Sequence, residues 1–588
     1  MQHSGGDCAL LADGRTAALV DRAGEVVWLC WPRIDSDPVL LSILDEQRGG
    51  TFRVAPRGDD VELLSRQAVD DGLVTRTTWR SGAGRLVVDD ALVTEGRAGL
   101  VRLLRAEGRP VLVEVRFRPA FAWGAAEPRI TESGRRAVAA GDRLLLAVDA
   151  PAPWRIDAGV AVCIFRVVPG YPAAVALGDA AGGTGLGDVP ERLAATLRHW
   201  RATLDACTLE LPSDALSVRA VGAATSERLL RRSAAVITGL RQRGGGLVAA
   251  PTSSLPQYPG TSRCWDYRYA WVRDTVIGAR ALLRLGLVDE AHGLGAFIGD
   301  VCSAGDPPPL CRVDEEPAPP EREIAWLAGH GGARPVRHGN GAALQGQGDL
   351  QGDALVLAGA LARARALPES LRRAVPLLAA TAAARAGEED HGIWEIRGPA
   401  RWYTHSRIAA WAGLREAAAL ARAGVVRGDA EAWESAARRL RGAVLDRCVD
   451  GAGALTLHAG GGGPDAACLT AVTSGFLRAD DPRATATLDA VEARLLSGGL
   501  VERHLAAEDS SDEPCLPFLF PTFWLAQARE LIGRDGSAVF ATAAACRGPL
   551  DLMGEVADPA TSTPHGNVPQ VQSHAALVLA SWTRGRAG

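Results

Sequence analysis

The hydrophobic pattern of this chain changes once, and the change divides the sequence into two kinds of structure. From about residue 8 to residue 190, short runs rich in β-branched and apolar residues, such as 25–29 and 111–117, alternate with turns that contain Gly and Asp. Runs of this length at close spacing predict an antiparallel β-sandwich. From about residue 215, apolar residues recur at helical spacing, which predicts a second, helical domain.

The helical half is predicted to close into a ring. We count roughly ten to twelve helical segments joined by loops rich in Gly and Pro, for example 350–366 and 406–423. A solenoid is the competing layout, but the sequence has no fixed period between helix pairs, and this absence disfavours it. The pattern therefore favours an α/α toroid, in which the loops at one end converge on a central pocket.

Between the two patterns lies a segment that we interpret as a linker. A Gly-rich stretch at 178–187 is followed by a helical pattern at 190–206. A chain of 588 residues is long enough for two or three folding units. The predicted parts are an N-terminal β-sandwich domain at 1–188, a helical linker at 189–214 and a catalytic helical barrel at 215–588.

Charge and composition exclude several classes of function. A net charge of -5 without any basic block gives no surface for nucleic acid or for an anionic membrane, so we expect neither as a partner. The sequence contains no lysine. This absence excludes a Walker A phosphate loop, a Schiff-base lysine and a pyridoxal-binding lysine. We expect no cofactor.

The N-terminus and the cysteines indicate a cytoplasmic protein. Residues 1–7 carry neither a basic nor an apolar targeting region, and no run of about 18 apolar residues occurs in the chain. The eleven cysteines lack CxxC spacing and the histidines lack HExxH spacing. We therefore expect reduced structural thiols and no metal site.

Two glutamates are the candidate catalytic residues. Glu395 follows Trp394 in a Gly-flanked segment, and Glu555 lies in a loop-forming segment before the last predicted helix. Hydrolysis of a glycosidic bond by inversion needs one acid to protonate the leaving oxygen and one carboxylate to activate water. We expect Glu395 to be the acid and Glu555 the base. The alternatives are a structural ion pair between Glu395 and Arg397, and Asp558 as the base.

A third segment has the composition of a sugar-binding site. Residues 264–274 combine aromatic rings with arginines and carboxylates. Sugar rings present apolar C–H faces and hydroxyl edges, which suit flat aromatic surfaces beside charged hydrogen-bond partners. We therefore expect Tyr267 and Trp271 to stack on sugar, and Arg273 and Asp274 to hold hydroxyls.

Further candidates come from two polar segments. Asp349 ends a polar, Gly-rich loop and is either a pocket residue or the N-cap of the helix that follows. Trp394 and Arg397, which flank Glu395, complete the predicted substrate-binding set.

These segments, in this order, resemble glycoside hydrolase family 15, the family of glucoamylases, glucan glucohydrolases and some bacterial trehalases. The resemblance runs almost from end to end. It covers Leu11–Val20 and Trp28–Ser36 near the N-terminus, and Ala250–Pro256, Trp265–Asp274, Gly392–Gly398, Thr404–Ser406 and Gly566–Gln570 in the second half.

The resemblance implies a multidomain β + α protein with an antiparallel β-supersandwich followed by an (α/α)6 barrel. Glu395 falls on the family's general acid and Glu555 on its general base, while Arg273 and Asp274 fall on residues that hold the terminal glucose. The implied activity is inverting, exo-acting α-glucoside hydrolysis of glucoamylase type, which releases β-glucose from the nonreducing end of α-1,4 or α-1,6 gluco-oligosaccharides.

Two alternatives to this function stay open. The first is a trehalase of the same family. The second is a noncatalytic sugar-binding protein, or a hydrolase of a glucosylated metabolite. The expected partner is an oligosaccharide or disaccharide substrate, and no motif decides the oligomeric state.

Overall fold

Antiparallel strands build the N-terminal half of the protein. The computed structural model describes residues 5–180, 185–509 and 511–585. Part of the Gly-rich stretch at 178–187 lies outside these residues. The strands are β1 (Ala9–Ala12), β2 (Ala17–Val20), β3 (Val26–Cys30), β4 (Pro38–Leu40), β5 (Thr51–Pro56), β6 (Val61–Ala68), β7 (Val74–Ser81), β8 (Gly84–Leu92), β9 (Leu100–Glu107), β10 (Val111–Arg118), β11 (Arg129–Ser133), β12 (Arg136–Ala140), β13 (Leu145–Asp149), β14 (Trp154–Asp157), β15 (Val160–Val167) and β16 (Ala173–Asp179).

The sandwich forms because its strands alternate in burial. One sheet has the order β14-β15-β10-β5, and a larger one has the order β11-β12-β13-β16-β9-β8-β7-β6. In β10, Val111, Val113, Val115 and Phe117 are buried, while the residues between them are partly exposed. These side chains pack with residues of the larger sheet in one apolar core, which is how an antiparallel sheet with one wet face is stabilised.

The sheet β1-β2-β3-β4 joins the two halves of the protein. Its strands are buried along their whole length. Leu11 and Leu29 belong to the core of the sandwich, whereas Leu10 and Trp28 belong to the core that the helices share. Because both faces of this sheet are covered, the β-sandwich domain packs directly against the helices.

Helices account for most of the second half. They are α1 (Val189–Asp205), α2 (Leu216–Val221), α3 (Ala223–Leu240), α4 (Val272–Arg284), α5 (Val288–Val301), α6 (Leu350–Arg363), α7 (Glu369–Ala384), α8 (Thr404–Arg422), α9 (Ala430–Arg447), α10 (Thr470–Thr473), α11 (Pro482–Leu495), α12 (Leu519–Leu531), α13 (Ser537–Ala545) and α14 (Val571–Ser581). Short strand pairs lie in the connections: β17 (Ala270–Trp271) with β18 (Leu310–Cys311), β19 (Arg322–Glu323) with β20 (Arg337–His338), β21 (Leu496–Ser497) with β22 (Leu500–Val501), and β23 (Val556–Asp558) with β24 (Thr563–His565).

The helices form two concentric rings. In the inner ring, α4, α6, α8, α10, α12 and α14 contact one another in sequence, and α14 packs against α4 to close the ring. The alternate helices α3, α5, α7, α9, α11 and α13 pack outside them. This arrangement is an (α/α)6 barrel, so the predicted fold class of a β-sandwich followed by such a barrel is confirmed. The predicted boundaries at residues 188 and 214 stay predictions.

The inner helices begin at one end of the barrel, and the candidate residues lie there. Arg273 and Asp274 are in the first turn of α4, and Asp349 immediately precedes α6. Phe518 precedes α12 and Gln570 precedes α14. The residues at the starts of helices far apart in sequence are thereby brought around one point. None of the helices within the described ranges is long and apolar enough to cross a membrane.

Glycines set the closest approach between two inner helices. A Cβ atom added at Gly413 of α8 would lie 2.6 Å from the Cα atom of Gly352 in α6, and one added at Gly352 would lie 2.2 Å from the carbonyl oxygen of Ala409. Neither distance is possible without moving a helix, so this contact requires glycine on both sides.

We predict that Gly413→Ala lowers the free energy of unfolding by about 1–3 kcal/mol, because the added methyl overpacks the α6–α8 contact. Gly442→Ala is the matched control, since Gly442 lies in α9 and has no atom within 4 Å of an added Cβ. It is expected to stabilise the protein by about 0.5–1 kcal/mol, because alanine is the better helix former. Thermal unfolding followed by circular dichroism measures both. An unchanged Tm in Gly413→Ala would contradict the close packing of α6 on α8.

Candidate active site

A cavity of about 250 Å³ opens at the end of the barrel where the inner helices begin. It is lined by residues from both predicted catalytic segments and from the aromatic segment before α4. The sequence-predicted residues that line it are Tyr267, Trp271, Arg273, Asp274, Trp394, Glu395, Arg397 and Glu555. Asp349 is fully buried behind Arg273 and contacts the cavity only through it.

Glu395 is held by three donors on one carboxylate oxygen. Its Oε1 accepts hydrogen bonds from Trp271 Nε1 at 2.8 Å, from Arg273 at 3.1 Å and from Gln347 Nε2 at 3.3 Å. The backbone at Glu395 has a φ of +55°, a left-handed conformation that is uncommon outside glycine. Within the described residues, the hydrogen bonds to this carboxylate all converge on Oε1, so Oε2 is the oxygen available to a ligand.

Arg273 is fixed from behind by Asp349. Its guanidinium donates to Asp349 Oδ2 at 3.1 Å and to Gln347 Oε1 at 3.0 Å. Asp349 occupies the N-cap position of α6, but its side chain makes no capping hydrogen bond. Asp349 therefore forms an ion pair with Arg273 and does not cap α6 with its side chain, which is the other role that the sequence allowed.

Glu555 has a donor on each oxygen. Gln257 Nε2 donates to Oε2 and the Tyr267 hydroxyl donates to Oε1, both at 2.8 Å. Burial raises the pKa of Glu555 above its usual value, whereas these two hydrogen bonds and the nearby Arg503 cation act in the opposite direction. A carboxylate held in this way has a fixed orientation toward the cavity.

Two aromatic side chains connect the glutamates. The rings of Tyr267 and Trp271 pack edge to face with centroids 5.6 Å apart. Tyr267 donates to Glu555, and Trp271 donates to Glu395. One rigid aromatic pair therefore holds both carboxylates, which orients them relative to each other.

Asp274 has an unpaired acceptor. Its Oδ2 accepts a hydrogen bond from Gln572 Nε2 at 3.0 Å, while its buried Oδ1 has no hydrogen-bond partner among the described residues. Burial raises the pKa of Asp274 to about 7, and the charges of Glu395 and Glu555 act in the same direction. A buried oxygen without a donor is costly, so Oδ1 suits a ligand hydroxyl.

The side chain of Trp394 contacts a different set of residues from the side chain of Glu395. The Trp394 indole donates to Asp465 Oδ1 at 2.7 Å and packs on Phe518 and Phe520. Its ring thus forms an apolar wall of the cavity.

Arg397 forms its ion pair with Glu321 and stacks 4.2 Å over the ring of Trp265. In the part of the chain that the structure describes, the pairing of Glu395 with Arg397 that the sequence left open does not occur.

Asp558, the rival to Glu555, lies in a turn. Its carboxylate accepts hydrogen bonds from the backbone of Ala560 at 2.9 Å and from the hydroxyl of Thr561 at 2.8 Å. These bonds stabilise the connection between β23 and β24. Asp558 is not among the residues that line the cavity.

Sequence reasoning missed several residues of the site. Gln257, which orients Glu555, carries no charge and stands in a Pro-rich loop. Arg503 lines the cavity and pairs with Asp509, which also pairs with Arg263 at 3.1 Å. An isolated arginine in a chain that uses arginine for all its positive charge gives no signal, and only the fold brings these residues together.

Two protein-family models match this chain. The model for glycosyl hydrolases family 15 matches residues 226–545. The model for the trehalase-like N-terminal domain matches residues 6–161. The two matches cover most of the helical half, including Glu395 but not Glu555, and most of the β-sandwich.

Known proteins are similar over nearly the whole chain. The trehalase of Mycolicibacterium smegmatis is 32% identical over 98% of this chain and 90% of its own length. Trehalase 1 of Sulfolobus acidocaldarius is 29% identical over 97% of each chain. Among solved structures, a bacterial glucoamylase complexed with acarbose matches with a TM-score of 0.72 and 15% identity, over 99% of this chain and 94% of that one.

The site also predicts how stability depends on pH. Burial raises the pKa of Asp465, the partner of Trp394, to about 7. The unfolded chain loses this proton near pH 4, whereas the folded protein retains it, so Asp465 destabilises the fold progressively as pH rises from about 4 to 7.

We predict that Asp465→Asn, which keeps an acceptor for Trp394, stabilises the protein more at pH 8 than at pH 5. The difference between the two pH values is expected to be about 2 kcal/mol. Urea unfolding at both pH values measures it. Asp481→Asn is the control, because Asp481 is an N-cap whose pKa is lowered; that change should be neutral or destabilising at both values. An equal effect of Asp465→Asn at the two values would contradict the raised pKa.

Proposed function

Because the chain belongs to glycosyl hydrolases family 15, we propose that it hydrolyses trehalose with inversion of configuration. The observation that carries the proposal is the presence of two differently held glutamates, Glu395 and Glu555, on one cavity. Inverting glycosidases use two such carboxylates, separated widely enough to admit a water molecule.

Glu395 is proposed as the general acid. Three donors occupy its Oε1, so the proton of the acid form sits on Oε2. From there it is transferred to the glycosidic oxygen as the bond to the anomeric carbon breaks, and the leaving glucose departs as a neutral alcohol.

Glu555 is proposed as the general base. Gln257 and Tyr267 hold its oxygens by hydrogen bonds that favour the charged form. The carboxylate removes a proton from water as the water oxygen attacks the anomeric carbon from the face opposite the leaving group. Because burial raises its pKa, hydrolysis is lost as pH falls through the raised value, which lies above the usual 4.5 of a glutamate.

The side chains between the two glutamates are proposed to hold the glucose that is attacked. Asp274 Oδ1 is buried without a donor, so it accepts from a sugar hydroxyl. The guanidinium of Arg273 and the rings of Tyr267 and Trp271 surround the same space. Asp349 acts through Arg273, because it fixes the guanidinium from the side away from the cavity.

The side of the cavity that carries Arg263 is proposed to receive the leaving group, and its structure favours a small substrate. There Arg263 donates to the carbonyl oxygens of Ser511 at 3.2 Å and Glu513 at 2.8 Å, and pairs with Asp509. Glu513 in turn accepts from the backbone of Ser262 at 2.9 Å. These bonds hold two loops together beside the cavity, which suits a second glucose ring better than a long glucan.

The relatives also favour trehalose. The motifs of the sequence favour α-1,4 or α-1,6 gluco-oligosaccharides as substrates and leave trehalose hydrolysis as the alternative. The sequence relatives from Mycolicibacterium smegmatis and Sulfolobus acidocaldarius, which cover nearly the whole chain, are named trehalases, and their similarity supports the alternative. The hypothesis of a noncatalytic sugar-binding protein is set aside, since the family consists of hydrolases and both glutamates line the cavity.

We predict that the protein releases glucose from trehalose and leaves maltose, maltotriose and isomaltose largely intact. Proton NMR of the first products separates the mechanisms. Inversion converts one ring to β-glucose while the other leaves as α-glucose, so the two anomers appear in equal amounts before mutarotation. Exclusive α-glucose would contradict inversion, and faster release from maltose or isomaltose would replace trehalose as the proposed substrate.

We predict that Glu395→Gln lowers kcat by about 100- to 10,000-fold, because the amide cannot donate the proton. The Gln oxygen still accepts from Trp271 and Arg273, so trehalose binding measured by calorimetry should persist. Asp558→Asn is the matched control, since Asp558 lies three residues beyond Glu555 at the end of β23 and does not line the cavity. Near-normal activity in Glu395→Gln would refute its role as the acid.

A further inference from the structure

Arg268 is a buried cation in the segment that carries the aromatic residues of the cavity. It follows Tyr267 directly, and its side chain is 0% exposed. Its Nε donates to Asp266 Oδ1 at 2.9 Å and its NH2 donates to Asp266 Oδ2 at 2.7 Å. A bidentate ion pair of this kind fixes the planar guanidinium in one orientation.

The β-sandwich domain supplies the rest of the surroundings of Arg268. The guanidinium donates to the carbonyl oxygen of Ser36 and lies 3.5 Å from Cys30 Sγ. It also lies 5.0 Å from the ring centroid of Trp123 and 6.0 Å from that of Trp28. We name these four residues, Trp28, Cys30, Ser36 and Trp123, the arginine socket.

The socket is itself fixed to both domains. Trp28 Nε1 donates to the carbonyl oxygen of Pro251 at 2.7 Å, and Trp123 Nε1 donates to Asp37 Oδ1 at 2.8 Å. On the other side, Asp266 Oδ2 accepts from the backbone of Gly339 at 3.1 Å. The position of residue 268 is thus determined from the β-sandwich and from the barrel loops together.

Neighbouring residues of an extended segment point to opposite sides. Arg268 enters the arginine socket, while Tyr267 faces the cavity and donates to Glu555 at 2.8 Å. Because the Arg268 side chain is held in one position, the backbone beside it can move little. The hydroxyl of the preceding residue, Tyr267, is restricted as a result. The β-sandwich domain has no residue in the cavity lining, so residue 268 is the point at which it lies next to the contact between Tyr267 and Glu555.

We propose that Arg268 is a positioning residue: the β-sandwich domain holds its guanidinium in the arginine socket, and this fixes the Tyr267 hydroxyl against Glu555. The inference rests on the proposed function for the role of Glu555. It assigns to the β-sandwich domain a part in the reaction, namely to orient the base.

The kinetic test compares Arg268→Gln with Tyr267→Phe. Loss of the hydroxyl contact raises the pKa of Glu555, because the bond favours the ionised form. The acidic limb of the kcat/KM profile for trehalose should therefore move to higher pH by about one unit in both variants, with about ten-fold lower activity on that limb. The double variant should show no further shift, because both changes remove the same contact.

Arg102→Gln is the matched control. Arg102 is also 0% exposed and lies inside the β-sandwich, where it pairs with Asp90, donates to the carbonyl oxygen of Gly24 and covers the Phe52 ring at 5.0 Å. It should lower Tm without moving the acidic limb. A limb that moves equally in Arg102→Gln would show that general destabilisation, and not positioning, causes the shift.

Loss of Arg268 leaves Asp266 buried and unpaired, which destabilises a protein strongly. If Arg268→Gln does not fold, Arg268→Met combined with Asp266→Asn removes both charges and is measured in its place. An acidic limb that stays at the wild-type pH in the folded variant would overturn the inference.

A crystal structure of the variant gives a readout that needs no substrate. We expect the distance from Tyr267 Oη to Glu555 Oε1 to exceed 3.5 Å or the tyrosine ring to be disordered. Retention of the 2.8 Å contact would overturn the inference. Absence of trehalose hydrolysis by the unmodified protein would contradict the proposed function alone, because the crystallographic test of positioning would still apply.

Discussion

The buried ion pair between Arg273 and Asp349 is the interaction on which the geometry of the active site depends. Both side chains are almost inaccessible to water, with exposures of 4% and 0%. Separating such a pair would leave an uncompensated charge and cost about 3–5 kcal/mol. The pair therefore links the first turn of α4 to the residue before α6. Arg273 also donates a hydrogen bond to Glu395, so the pair helps to fix the position of this glutamate.

A third inner helix places a side chain beside this pair without a hydrogen bond to it among the described residues. His405 lies in the first turn of α8, and its Nδ1 is 3.9 Å from Asp349 Oδ2. Burial lowers the pKa of His405 to about 4, so the ring is neutral near pH 7. The ion pair of Asp349 is therefore with Arg273 and not with His405. The first turns of α4, α6, α12 and α14 lie in this region, and the positive dipole ends of these helices favour carboxylates there. Burial opposes this effect, and for Asp274 and Glu555 burial prevails, since their pKa values are raised.

The sequence predicts the parts of this site that depend on local pattern. The change of period from strand to helix, the aromatic and charged segment before α4, and the polar loop that ends at Asp349 are all visible in short windows. The partners of Glu555 are not, because Gln257 is 298 positions away and meets it only through the closure of the barrel. Trp394 shows a second limit: it is adjacent to Glu395 in sequence, yet it packs on Phe518 and donates to Asp465. The left-handed backbone at Glu395 has no signature in the residue type, because glycine is the residue that usually takes it.

One side of the cavity is built by the first turns of helices and the other side by loops. Different residues can therefore determine the type of reaction and the choice of substrate. Arg273, Asp274 and Gln572 stand on the first turns of packed helices, whose positions follow from the barrel itself. Arg263 and Asp509 stand on loops that are joined by their ion pair. Arg397 stands on a loop that is joined to another loop by its ion pair with Glu321. Loops tolerate changes in length and sequence far better than packed helices do. A barrel of this type can therefore keep the residues at its helix starts while its loops vary. The chain accordingly shares its fold with a bacterial glucoamylase and its sequence similarity with trehalases.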